Sequence, residues 1–91
     1  MSEKRWGVEF SKSSLKVLGR LERSAATRIL DRLEDVASAE NPVHHRDVRA
    51  LEGKLRGFYR LRVGEYRAIL EFDRKGRRVG VLAIVPRGQA Y

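Results

Sequence analysis

The chain is expected to adopt an α+β fold, with a helical hairpin packed on one face of a four-stranded, mainly antiparallel sheet. Three observations predict it. Two stretches in the first half repeat apolar residues at helical spacing. Three strand-like runs separated by tight turns follow Gly57. A short alternating run precedes both groups.

Lys4 to Phe10 places Trp6, Val8 and Phe10 at period two and reads as the first strand. Ser11 or Ser13 is positioned to cap the helix that follows, and Leu15, Leu18 and Leu21 give that helix an apolar stripe. A second helix begins at Ser24. Its Ile29, Leu33, Val36 and Ala37 recur on one face, Leu30 lies beside them, and Asp31, Arg32, Glu34 and Asp35 lie off it. It should end near Ala39, because Asn41-Pro42 disfavours further α conformation.

VHHRDVRA, from Val43 to Ala50, has no clear period and reads as a loop leading to an extended piece at Leu51. Strands are then predicted over 58–63, 66–72 and 77–85, with turns at Gly64-Glu65 and Asp73–Gly76. The last run is almost continuously apolar, which predicts a central strand covered on both faces. The first strand must pair with this meander, since alone it would leave its backbone ladder unmade.

Ninety-one residues make one small domain with a modest core. The absence of cysteine removes disulfides and thiolate chemistry. No apolar run approaches the roughly 18 residues that span a membrane, and MSEKRWGVEF lacks the apolar stretch of a signal peptide. A cytoplasmic protein is expected. Net charge is +8, and it is unevenly spread. Residues 1–42 carry 8 Lys/Arg against 7 Asp/Glu, whereas residues 43–91 carry 12 against 5. A surface with this excess suits nucleic acid, through counterion release, or an acidic protein.

The densest stretch is LEGKLRGFYRLRVGEYR, Leu51 to Arg67. Strand alternation puts Phe58, Arg60 and Arg62 on one face, with Tyr59, Leu61 and Val63 on the other. Cutting RNA without a metal needs a base for the attacking 2′-hydroxyl, charge stabilisation at phosphorus and an acid for the leaving oxygen. Arg60, Arg62, Arg67 and Arg87 suit the second task, since a planar guanidinium matches two phosphate oxygens. An arginine does not serve as the base. Tyr91, His44, His45, Lys54, Glu52 and Glu65 remain as proton carriers. The adjacent His44 and His45 read as a solvent-exposed loop pair rather than a metal site. Phe58 is placed either to stack on a base or to close the core edge. Trp6 reads as core, and Tyr59 and Tyr66 as packing residues with one polar tip.

The strand–helix–helix–meander order resembles the RelE/ParE superfamily of bacterial and archaeal toxins. So do ALEGKLRGFYRLRVGEYRAILEF in the middle and VLAIVPRGQAY at the end. The most specific part is L-x-G-x-L-x-G-x-Y-R-L-R-x-G-x-Y-R, and the likeness covers nearly all of residues 1–91 as a single toxin domain of RelE-like microbial-ribonuclease type. Family members commonly end in His-Arg, three residues and Tyr; here Pro86 replaces the histidine while Arg87 and Tyr91 are kept. The resemblance implies a toxin of a type II toxin–antitoxin pair. In the RelE-like branch it implies a metal-independent, cofactor-free endoribonuclease that enters the ribosomal A site and cleaves mRNA by 2′-hydroxyl attack, so inhibiting translation. Arg60, Arg62, Arg67, Arg87 and Tyr91 match that branch's catalytic positions. Arg67 and Arg87 would hold transition-state charge or assist the leaving group, and Tyr91 would move a proton. Lys54, Arg56 and Phe58 would bind RNA. The implied partners are the ribosome, mRNA and a short acidic antitoxin, the last in a heterotetramer or larger complex. The ParE-like branch shares the scaffold but inhibits DNA gyrase, and a non-cleaving RNA-binding module is a further alternative.

Overall fold

A computed structural model describes residues 5–88. Its elements run β1 (Gly7–Phe10), α1 (Lys12–Arg20), α2 (Arg23–Ser38), β2 (Val48–Ala50), β3 (Tyr59–Val63), β4 (Tyr66–Asp73) and β5 (Arg78–Pro86). One-turn 3₁₀ segments occupy Pro42–His44 and Gly53–Leu55. The sheet has five strands in the order β1-β5-β4-β3-β2, antiparallel except for the parallel pairing of β1 with β5. The α+β expectation therefore holds with one more strand than foreseen. The addition is β2, three residues inside the stretch read as a loop, which forms the sheet edge beside β3.

Both helices cover one face. Ile29, Leu33, Val36 and Ala37 of α2 are buried with Trp6, Leu61, Val63, Ala68, Leu70, Val79, Val81 and Ile84. Leu30 stays exposed beside them. Phe72 joins Trp6 and Tyr59 in edge-to-face contacts, with ring centroids 6.1 and 5.0 Å apart. α2 stops at Ser38, where Asn41-Pro42 forces an extended exit.

The stripe expected on α1 is corrected. Leu15 is 55% exposed, and Ser14, fully buried, takes its place beside the half-buried Val17, Leu18 and Leu21. Ser14 is tolerated there because its hydroxyl is satisfied. It lies 2.9 Å from the Ser11 carbonyl and 3.1 Å from that of Val81, to either of which it donates. Ser11 caps α1 by accepting from the Ser14 amide at 3.0 Å, and its own hydroxyl donates to the Leu82 carbonyl at 2.7 Å.

The Val81 and Leu82 carbonyls belong to a bulge. Ile69 pairs with Ala83 but Leu70 pairs with Val81, which leaves Leu82 as the extra residue in β5. The bulge switches which β5 residues face the helices. Val79 and Val81 point inward before it and Ile84 after it, so Ala83 and Val85 turn to the opposite face. The continuous apolar run of β5 is thus two alternating segments joined out of phase. α1 holds the junction through Ser11 and Ser14.

Candidate functional site

The face turned away from the helices gathers the arginines. Leu61 and Val63 are buried in the core, so their neighbours Arg60 and Arg62 stand on the open face. Register extends the set in both directions. Arg62 lies directly opposite Arg67 on β4, and Arg60 directly opposite Arg49 on β2. Two like-charge cross-strand pairs therefore sit side by side. Among the described residues none of these four guanidiniums, nor that of Arg87, pairs with a carboxylate. Asp47, at the rim, is engaged by Arg32 of α2 at 2.7 Å. Burial pushes Arg60 below the usual arginine range, and the charges of Arg67, Arg62 and Arg49 push it further. The buried Nε of Arg67 has no hydrogen-bond partner among the described residues. Arg46, Asp47, Arg49, Arg60 and Arg62 line a small cleft of about 150 Å³.

Arg87 lies just past β5. Its amide donates to the Glu65 carbonyl at 2.7 Å, one ladder position beyond the Tyr66–Pro86 pair. The alternation set by the bulge puts Val85 opposite Arg67, and continued by two residues it assigns Arg87 to the same face. Without the extra residue the parity would be reversed. Lys54 and Arg56 are exposed on the turn before β3, between Gly53 (φ 68°) and Gly57 (φ 99°). Phe58, half-buried, follows that turn. The basic residues thus run along β3 from the Lys54–Arg56 turn, past Arg60 and Arg62, to the Gly64-Glu65 turn beside Arg87. Tyr91, the remaining predicted site residue, lies outside the described residues.

The other end of the same face differs in kind. Glu71 and Glu9 flank Gly80 across β4 and β1. Arg78 stands there 3.1 Å from Asp73 and 3.9 Å from Glu9. At that end Arg78 is paired with carboxylates, whereas the guanidiniums at the β2–β3–β4 end have no carboxylate partner among the described residues.

The histidines separate. His44 is exposed, but the side chain of His45 is only 8% exposed, which corrects the expectation of a solvent-exposed pair. Its Nδ1 accepts from the Asp47 amide at 3.1 Å, so the proton belongs on Nε2, 2.8 Å from Asp35 of α2. That hydrogen bond, foremost, holds the Asp35 carboxyl below its usual range. His45 thus ties the loop before β2 to the helix layer. Among the described residues no three His, Asp or Glu side chains converge as a metal-binding group. Glu52 and Glu65 are both exposed in the turns at the two ends of the arginine row. Arg49 is the one residue of the cluster that sequence reasoning missed. Only its register opposite Arg60 reveals it.

The family model for the ParE toxin of type II toxin–antitoxin systems, parDE, matches residues 8–91. Among solved structures, the archaeal RelE–RelB complex from Pyrococcus horikoshii is 31% identical with a TM-score of 0.77, covering 94% of this chain and 99% of that one. A RelBE toxin–antitoxin complex from Mycobacterium tuberculosis superposes with a TM-score of 0.80 at 20% identity, covering 97% and 98% of the two chains. An Escherichia coli RelE variant with two arginines replaced by alanine gives 0.73 at 18% identity, covering 90% and 83%. The last two likenesses establish the fold alone. Among proteins of curated function, sequence comparison gives no match.

Proposed function

The chain belongs to the RelE/ParE superfamily of toxins from type II toxin–antitoxin systems, and we propose that it is a metal-independent endoribonuclease that cuts mRNA in the ribosomal A site. The observation that carries this reading is the open sheet face. Among the described residues, Arg49, Arg60, Arg62 and Arg67 stand together there without carboxylate partners. Directly opposed like charges weaken a sheet, so their assembly makes sense as a site for an external polyanion. The relative at 31% identity is a RelE crystallised with RelB.

In the proposed reaction an RNA 2′-hydroxyl attacks the neighbouring phosphorus. The 2′-proton passes to a base, the bond from phosphorus to the 5′-oxygen breaks, and that oxygen takes up a proton. The products are a 2′,3′-cyclic phosphate and a free 5′-hydroxyl. Arg67 and Arg87 neutralise the charge that grows on the phosphoryl oxygens, and Tyr91 takes part in proton transfer. Arg60 and Arg62 hold the strand. Arg60 remains a cation despite its lowered pKa, because arginine does not deprotonate under these conditions. Lys54, Arg56 and Phe58 extend the RNA contact along β3.

RelB antitoxins accompany the toxins in the complexes from Pyrococcus horikoshii and Methanococcus jannaschii. A corresponding acidic antitoxin laid across the basic face and the sheet edge, in a heterotetramer or larger assembly, would silence this chain. The test adds purified protein to ribosomes programmed with labelled mRNA. Wild-type protein should release a fragment ending in a 2′,3′-cyclic phosphate. Arg67→Ala and Arg87→Ala should release none while keeping the wild-type circular dichroism and antitoxin binding. Loss of folding in both variants would remove the evidence for a catalytic role.

One observation favours a second reading: the matching family model is that of ParE. On that reading the target is DNA gyrase. Cells would then accumulate DNA breaks while their transcripts stay whole.

A further inference from the structure

We infer that Arg49, paired with Arg60, forms a second phosphate-binding subsite one nucleotide away from the phosphate held by Arg62 and Arg67. It rests on the reading of this face as an RNA site and adds to it a residue and a direction for the strand.

Arg49–Arg60 and Arg62–Arg67 are successive same-face cross-strand pairs, offset by two residues along β3 and by one strand across the sheet. Strand rise and strand spacing put their midpoints about 8 Å apart. One nucleotide of an extended single strand spans such a step, given the reach of an arginine. A continuous backbone laid diagonally from β4 over β3 to β2 would meet both pairs in turn.

The second pair is shaped for an oxyanion. The Nη1 of Arg49 donates to its own strand's Val48 carbonyl at 3.1 Å and to the Arg46 carbonyl at 2.6 Å, which fixes the guanidinium and leaves its other donors free. The adjoining cleft is lined by Arg46, Arg49, Arg60 and Arg62, with Asp47 as its one carboxylate. Asp47 is already spent on Arg32. The loop that carries Arg46 is tied to α2 through His45 and Asp35, so the cleft is held in shape before any ligand arrives. Edge strands are commonly protected by outward charge, but a lysine or arginine anywhere on β2 would do that. Placing it opposite Arg60, where it is repelled, calls for an anion between them.

The experiment measures binding of 2′-deoxy oligonucleotides, which lack the attacking hydroxyl and stay intact. A dinucleotide offers one internucleotide phosphate and a trinucleotide offers two. Wild-type protein should bind the trinucleotide roughly tenfold more tightly, as one added charge-assisted contact gives. Arg49→Ala should erase that difference and leave dinucleotide binding in place, whereas Arg67→Ala should weaken both. The salt slope for the trinucleotide should fall by about 0.7 on Arg49→Ala, and Arg49→Lys should restore part of it. An Arg49→Ala protein that melts like wild type yet keeps both the trinucleotide preference and the slope would overturn the subsite. Cleavage of ribosome-bound mRNA is scored separately. Cutting that continues with no Arg49 effect on binding sinks the subsite alone. Arg49-dependent binding without cutting supports the subsite and sinks the nuclease.

Discussion

Replacing Arg62 by glutamate should stabilise the fold while abolishing toxicity. Arg62 is exposed and faces Arg67 directly across β3 and β4, so the exchange leaves no cavity and no buried group unpaired. It turns a repulsive cross-strand pair into an attractive one and relieves the charge on Arg60, which Arg62 helps to perturb. Cross-strand charge pairs are each worth roughly 0.2–1 kcal/mol in either direction, so the swing amounts to about 1 kcal/mol at low ionic strength. For a domain of this size that corresponds to a rise of about 4–8 °C in melting temperature. The assay is thermal denaturation followed by circular dichroism at low salt, with Arg62→Gln as the neutral control expected at about half the gain. The gain should shrink as salt screens the pair. An Arg62→Glu protein that melts below wild type at low salt would refute the claim that this face carries uncompensated charge.

Three further outcomes follow from the same structure. Ser11→Ala loses the α1 cap and the bond to the bulge carbonyl of Leu82; chemical denaturation should show a loss of about 2 kcal/mol. Arg77 is the one non-glycine residue with positive φ (55°) among the described residues, so Arg77→Gly should stabilise by about 1 kcal/mol in the same assay. Hydrogen bonds from Arg5, then Ser38, hold Glu34 at about 2, below its ordinary 4.5. Its contribution is complete above pH 4.5 and is lost as pH falls toward 2. Melting points taken across that range should fall less steeply for Glu34→Gln than for wild type.

Much of this site is legible in the amino-acid sequence alone. Alternation through Tyr59, Arg60, Leu61, Arg62 and Val63 assigns faces correctly because each residue type there agrees with its burial. The α2 stripe was equally clear, since four apolar residues repeat at helical spacing. β2 was not, because three residues cannot display a period, and with it went Arg49, whose partner is known only from pairing. Leu15 misled for a different reason. Spacing alone cannot tell that Ser14 is welcome in the core, where the carbonyls of Ser11 and of Val81 on β5 offer its hydroxyl an acceptor. The β5 bulge was hidden too, for an unbroken apolar run conceals a change of phase. His45 looked solvent-exposed because its partner Asp35 lies ten residues earlier, on a different element.

Whether the four guanidiniums of this sheet face, unpaired among the described residues, grip RNA for cutting is decided by mapping transcript 5′ ends in cells after brief expression. New ends should appear in phase with codons, confined to translated regions, present with wild type and absent with Arg67→Ala. Unchanged transcripts accompanied by broken chromosomal DNA would contradict it and place the target at gyrase.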